Sequence, residues 1–325
     1  MSGRGFKSGF AGAIDSYIDS KVASGYKERS FLCTMRKFDA FCESRGIEDV
    51  SLTRGDVEEW TRRLPNEATT THYARVNASK NLVAYLIARG HDICPIRDVA
   101  FRETGFQPHI YTRDEVDRYF TAVDAWSSPR SRVDEVQFPV LFRLMYCCGA
   151  RVNEALGLRK CDVDLAAGVV ALNETKNDRA RLVALGPDMA ALFARFADKT
   201  FYLLGDEDYV FRNGRGRRRD AKRLDEVHQE LLRRAGIPFV GGGEGPRLHD
   251  WRHTHAVCAF KQMLDSGMDM YAALPVLSKY LGHKTIYATE RYVRLTAAMY
   301  PEVAAKLSAV LCPVFEGGPF GEASD

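Results

Sequence analysis

Apolar residues recur at helical spacing along most of this chain and at strand spacing in one short stretch, which calls for a mainly α fold with a small antiparallel β-sheet. Phe10, Ile14, Tyr17, Ile18 and Val22 share one helical face. Phe31, Leu32, Met35, Phe38, Phe41 and Cys42 mark a second helix over 27–45. Ser51 to Asp56 reads as a turn into a third, 57–64. Tyr73, Val76, Leu82, Val83, Tyr85 and Leu86 mark a fourth over 70–88, with Gly90 as its C-cap. Weak periodicity follows, with Pro95, Gly105 and Pro108. Thr112 then opens a new helix, and Glu115 completes a capping box. The strand-spaced stretch lies further on. Asp162 to Leu165 leads to Gly168–Leu172, and polar turn residues separate that run from Arg181–Leu185. Helices resume near Asp188.

The 325 residues are comfortable for two domains, and an apolar fraction of 46 % supplies a core for each. We read 1–95 as a helical domain, 96–111 as a linker, 112–312 as a second domain and 313–325 as a flexible tail. No segment approaches the roughly 18 consecutive apolar residues of a membrane helix, and the N-terminus lacks a signal-peptide core. The eight cysteines include no C-x-x-C pair and read as reduced thiols. A soluble, cytoplasmic protein is expected. The net charge of +3 permits a nucleic-acid partner without demanding one. The run from Arg212 to Arg223 says more: Arg212, Arg215, Arg217, Arg218, Arg219, Lys222 and Arg223 are offset only by Asp220. Alone it would be a solvated loop, but phosphate contact needs such clusters.

Four segments carry residue types suited to chemistry. Arg151 follows Gly149 at the end of an apolar helix, with Glu154 three residues on. His249 and Arg252 are three apart and share a helical face. His283 follows Leu281-Gly282 and precedes Tyr292 by nine residues, with Tyr287 as a competing tyrosine. Lys176 sits in the turn of the expected hairpin. Each signal is weak alone. Arg151 could be a surface partner of Glu154, Tyr292 a core residue and Lys176 solvent decoration. A metal site of His249, His253, His255 and Cys258 competes, but the segment does not match the H-E-x-x-H pattern of zinc hydrolases.

Taken together, the residues suit phosphoryl transfer. Charge gathers on the non-bridging oxygens of the reacting phosphate, and catalysis is mostly positioning and charge stabilisation. Two guanidiniums can fork onto those oxygens, a tyrosine hydroxyl can attack phosphorus, a lysine can protonate the leaving oxygen, and histidine can move protons. No carboxylate cluster suggests a bound magnesium ion, so neither metal nor cofactor is expected.

At these positions the chain resembles the tyrosine recombinase, or phage integrase, family. Gly149-Ala150-Arg151-Val152-Asn153-Glu154 matches the first arginine motif, and His249-Asp250-Trp251-Arg252, followed by His253-Thr254, matches H-x-x-R. Leu281-Gly282-His283 and Tyr292 match the final histidine and the nucleophile, in order and spacing, from Thr112 to Val310. Trp251 stands where many relatives carry Leu, and no His lies two residues beyond Tyr292. With nothing like an arm-binding domain before residue 10, the layout is nearer the two-domain Xer-like and transposon-borne enzymes.

The resemblance implies a site-specific recombinase that cuts and rejoins double-stranded DNA through a 3′-phosphotyrosyl bond. Arg151 and Arg252 would hold the scissile phosphate, with His283 bonded to one of its oxygens. His249 would assist proton transfer, Lys176 would protonate the 5′ oxygen, Tyr292 would attack, and Glu154 would orient the site. Two domains would clamp a duplex, with Arg75, Lys80, Arg89, Arg179, Arg181, Arg217, Arg218 and Lys222 as candidate phosphate contacts. A homotetramer on DNA is expected, with or without a related recombinase. An apolar face over 296–310 would pack in its own domain or dock on a neighbour. The rival readings are a type IB topoisomerase-like enzyme, a DNA-binding partner of other recombinases and, ranked low, a metal-dependent hydrolase.

Overall fold

The structure, a computed structural model, describes residues 3–100, 107–127, 132–174, 179–239, 245–283 and 285–300. It divides into two compact units, one ending at Gln107 and the other beginning at Pro108. No described helix is long and apolar enough to cross a membrane. The described cysteines are free thiols.

The first unit is built by α1 (Ala11–Ala23), α2 (Arg29–Ser44), α3 (Arg54–Thr61) and α4 (Thr69–Ile87). The expected apolar faces form its core: Phe10, Ile14, Tyr17 and Ile18 pack against Met35, Phe38 and Cys42, and against Val76, Leu82, Val83 and Leu86. Helix α3 begins three residues earlier than its apolar period suggests. Thr53 Oγ1 accepts the Asp56 N–H at 3.2 Å, and the Asp56 carboxylate accepts the Thr53 N–H at 3.0 Å. This capping box turns Arg54 and Gly55 into helix. Gly90, at φ 89°, follows the end of α4.

Residues 91–100 lack regular structure, yet Ile93 and Ile96 are buried in this core. Ile110 and Tyr111 are buried in the second unit. Both ends of the expected linker are therefore anchored by apolar side chains, and its centre lies outside the described residues.

Arg75, expected on a phosphate, is instead buried, and this corrects the sequence reading. Its Nε and Nη2 fork onto Glu67 at 2.8 and 3.0 Å, Nη2 also reaches the Arg62 carbonyl at 3.0 Å, and Nη1 donates to the Trp60 carbonyl. The guanidinium lies over the Trp60 ring. The Arg75 hydrogen bonds outweigh burial and hold the Glu67 carboxyl well below the usual carboxylate range. Removing one member of such a pair strands the other charge and two carbonyls. Arg75→Ala should therefore destabilise the first unit by about 3–5 kcal/mol. Urea unfolding of the full chain should show an earlier first transition, and an unchanged midpoint would refute the role. Of the other candidates here, Lys80 pairs with Asp98, and Arg89 is exposed with its guanidinium 3.6 Å from the centre of the Tyr85 ring.

The second unit begins with α5 (Arg113–Asp124), capped by Thr112 and Glu115 as expected. It continues through α6 (Arg132–Cys147) and the short α7 (Val152–Gly157). An antiparallel sheet follows in the order β1 (Val163–Asp164), β2 (Val169–Glu174), β3 (Arg179–Ala184). Val163–Asp164, read from sequence only as a lead-in, is a strand in its own right, pairing with Val169 and Val170. Val170, Leu172 and Val183 are buried while Leu182 is 73 % exposed, the alternation of a one-sided sheet. Then come α8 (Pro187–Thr200), α9 (Ala221–Arg234), α10 (Asp250–Asp265), α11 (Met270–Leu281) and α12 (Tyr287–Met299).

Trp251 anchors the larger core. Its indole stacks on Tyr111, with ring centres 3.9 Å apart and planes 3° apart, and touches Tyr119, Phe120 and Tyr146. A second core beneath α10, α11 and α12 gathers Ala256, Val257, Phe260, Leu277, Leu281 and Tyr292. The apolar face expected over 296–310 is described only as far as Tyr300. The tail, the loop of Gly241–Gly243 and the turn bearing Lys176 lie outside the described residues.

Candidate active site

The site starts at a turn. After α6 the chain reverses at Gly149, at φ 59°. A Cβ there would meet His255 Cδ2 at 2.6 Å, so both conformation and space require glycine. The turn leaves Arg151 as the N-cap of α7. Its N–H donates to Glu154 Oε2 at 2.8 Å, its Nη1 to Oε1 at 2.7 Å, and its Nη2 to the Gly282 carbonyl at 3.3 Å.

Arg252 lies in the first turn of α10 and is 1 % exposed. Its Nη1 donates to the Gly149 carbonyl at 2.7 Å, and its Nη2 to the Leu281 carbonyl. One guanidinium thus fastens the Arg151 turn and the end of α11 to α10. Burial, together with the charges of Arg151 and Arg181, pushes the Arg252 guanidinium down to about 10. It remains a cation at neutral pH.

Arg181 was expected on DNA phosphate, and the structure corrects this too. It forks onto Glu154, Nη1 to Oε1 at 2.6 Å and Nη2 to Oε2 at 2.8 Å. Burial by itself would raise the Glu154 carboxyl. The Arg181 hydrogen bonds and the charges of Arg181 and Arg151 outweigh it, and the carboxyl lies below its ordinary value. Glu154 is a buried anion bridging two arginines. The signal for this was present in the strand: Arg181 shares the inward face of β3 with Val183, and an inward arginine needs an acid.

The histidines divide between different partners. His249 immediately precedes α10 and keeps an open face to solvent. Crowding by protein atoms and the Arg252 charge push its imidazole down to about 4. His283 follows Gly282, whose left-handed backbone ends α11. Its Nδ1 lies 2.8 Å from Thr289 Oγ1, and its ring runs parallel to that of Tyr292 with centres 6.1 Å apart. Burial, then Arg252 and Arg151, lower it to about 4 as well. His253 reaches the Tyr292 hydroxyl, Nδ1 to Oη 2.9 Å, while His255 stacks on Tyr280. His255 thus turns away from His249 and His253, and among the described residues no group of three or more His, Cys, Asp or Glu is arranged to hold a metal. Tyr292 is 1 % exposed, whereas Tyr287 is 75 % exposed. Burial raises the Tyr292 phenol against the opposing charges of Arg252, Arg291 and Arg151. The sequence reading missed the contact of His253 with Tyr292.

Of the expected basic contacts, Arg217 and Lys222 are exposed. Asn213 Oδ1 accepts the N–H groups of Arg215 and Arg217 at 2.9 and 3.1 Å, which shapes the loop that carries them. Arg218 is turned inward instead, donating to the Leu156 carbonyl at 3.2 Å and to Asn153 Oδ1 at 2.8 Å. Arg179 opens β3 opposite Glu174.

Known proteins share this arrangement of elements. The chain is 26 % identical to a protein of Sinorhizobium fredii described as an integrase/recombinase, over 92 % of this chain and 96 % of that one. It is 27 % identical to tyrosine recombinase XerC of Mycobacterium sp. strain KMS, over 88 % and 94 %. Its fold is that of the Tn1549 transposon integrase, with a TM-score of 0.63 at 15 % identity, covering 86 % of this chain and 94 % of that one. A lambda integrase dimer bound to a core site aligns with a TM-score of 0.61 at 18 % identity, over 86 % and 94 %. Residues 111–299, more than half of the sequence, match the family pattern itself, and the chain belongs to the phage integrase family.

Proposed function

We propose that Tyr292 is the nucleophile with which this tyrosine recombinase cleaves and rejoins DNA strands at defined sites. The observation that carries the reading is the convergence on Arg252. Its two carbonyl bonds bring the Arg151 turn and the Leu281–His283 segment to one place, and the ring of Tyr292 lies parallel to His283 there.

In this reading Arg151 and Arg252 bind the non-bridging oxygens of the scissile phosphate. A guanidinium has five N–H donors, so the two carbonyl bonds of Arg252 leave others for phosphate. Neutral His283 donates to a phosphate oxygen, and His249, at the open edge of the site, moves protons. Tyr292 Oη attacks phosphorus, its proton passes to His249, and the P–O5′ bond breaks. The 3′-phosphate stays on the protein, and Lys176 protonates the departing 5′ oxygen. Attack of a 5′-hydroxyl on the phosphotyrosine reverses these steps. Two fixed cations supply the charge stabilisation.

The first unit would grip the flanking duplex, and Arg217, Lys222 and Arg89 would contact its backbone. The enzyme would act on the nucleoid in the cytoplasm. Strand exchange joins two duplexes, each cut in both strands, and so needs four protomers. A lambda integrase tetramer bound to a Holliday junction is among the solved structures of this fold. The family match favours recombination over topoisomerase-like relaxation.

The test is a duplex carrying a candidate site from the protein's own genetic surroundings, nicked so that the short cleaved fragment diffuses away. A covalent protein–DNA adduct should accumulate on a denaturing gel in EDTA, leaving a free 5′-hydroxyl. An adduct that forms only with added divalent metal, or none across all such sites, would overturn the proposal.

A further inference from the structure

We infer that His253 is a further catalytic residue, the acceptor that holds the Tyr292 hydroxyl for attack on phosphorus. The inference rests on the reading of Tyr292 as nucleophile. Three observations support it. The first is the contact itself: His253 Nδ1 lies 2.9 Å from Tyr292 Oη, and both side chains are buried. The second is placement. His253 follows Arg252 directly and lies one helical turn after His249, whose ring meets its own edge to face with centres 4.8 Å apart. The same turn of α10 therefore carries the phosphate-binding guanidinium and the anchor of the nucleophile. The third is that Tyr292 is confined on two sides. The parallel ring of His283 limits where the phenol can lie, and His253 limits where its oxygen can point.

The direction of the bond follows from charge. Burial first, then the neighbouring His249, Arg291, Arg247 and Arg252, hold the His253 imidazole in its neutral form. Neutral imidazole can place its proton on Nε2 and leave a lone pair on Nδ1. The phenol then donates O–H to Nδ1, which leaves the Oη lone pairs free for phosphorus. His253 itself stays neutral: as the Oη–P bond forms and the Oη–H bond breaks, the proton leaves through His249, the proton carrier of the proposed mechanism. It fixes the geometry of the reacting atom, where a displacement of about 1 Å can cost on the order of 10²-fold in rate.

The experiment measures single-turnover adduct formation by the full chain on nicked duplex, alongside DNA retention on a native gel. His253→Phe fills the space and removes the acceptor, and should slow the adduct on the order of 10²-fold with retention unchanged. His253→Asn places an amide oxygen near the old Nδ1 position, and should stay within about tenfold of the parent. Adduct formation by His253→Phe at or above the parent rate would overturn the inference, a faster rate meaning that the bond stores the tyrosine away from DNA. His253→Asn as slow as His253→Phe would overturn it as well. A second readout needs no cleavage. With 3-fluorotyrosine placed at position 292 and no DNA present, the fluorine resonance should move in His253→Phe and stay near its place in His253→Asn. A resonance unmoved in both refutes the hydrogen bond. A parent chain that formed no adduct would count against the nucleophile alone, since the fluorine result stands apart from it.

Discussion

Tyr292→Phe should abolish the covalent adduct on nicked DNA completely, while Tyr287→Phe should form it at the parent rate. The two tyrosines are five residues apart, about 1.4 helical turns, and so lie on different faces of α12. One is 75 % exposed at the first position of the helix, and the other is buried with its ring parallel to His283 and its hydroxyl on His253. Phe at 292 keeps that ring contact and removes only the hydroxyl. The structural cost is one buried nitrogen left without its partner, about 1–3 kcal/mol. Loss of the adduct then reports the missing nucleophile rather than a missing fold, provided the melting temperature moves by only a few degrees. If Tyr287→Phe were the variant that lost the adduct, α12 would have to turn its other face to the site, and the whole assignment around His283 would fall with it.

Much of this architecture is legible in the amino-acid order because it is written in local periods. The helical faces of α1, α2 and α4, the Thr112–Glu115 box and the alternation of Val170, Leu172 and Val183 each need only neighbours in sequence to be seen. The arginine, histidine and tyrosine positions were visible for a different reason: their types, taken together, fit one reaction. What stayed hidden depends on contacts between distant segments. Arg75 looks like a surface charge on α4 until the chain before that helix folds Glu67 and two carbonyls onto it. Arg218 looks like one more member of a basic loop until Asn153 and Leu156 of α7 are seen beside it. His253 reads as a companion of Arg252, and only the packing of α12 on α10 gives its ring a partner. Arg181 is the intermediate case. Its strand face was readable, but the sequence did not pair it with Glu154, 27 positions earlier.

Arg252→Lys should reduce single-turnover adduct formation by at least about 10²–10³-fold, the loss expected when a preorganised charge-stabilising donor is removed from a reacting oxyanion. The substitution keeps a positive charge, so simple electrostatics would call it mild. Geometry says otherwise. Arg252 spans two carbonyls on different segments, Gly149 and Leu281, while offering its remaining donors to phosphate. An ammonium is a point donor on a flexible stem and cannot hold that fork. One carbonyl would lose its donor, at about 1–3 kcal/mol of stability, and the Arg151 turn would no longer be tied to the end of α11. Charge state adds a second effect. The burial and neighbouring cations that bring Arg252 down to about 10 leave it protonated throughout the neutral range. The same push acts on a lysine, whose ordinary value is already lower than that of arginine, and brings it closer to the neutral range. The residual activity of Arg252→Lys should therefore fall as pH rises above neutrality, because the cation is lost on deprotonation. The parent should show no such decline from this residue. Two measurements decide it: the pH profile of adduct formation for both proteins, and the melting temperature of each at the same pH values. An Arg252→Lys variant within threefold of the parent at neutral pH would show that position 252 supplies charge alone, and the bidentate role assigned to it would have to be abandoned.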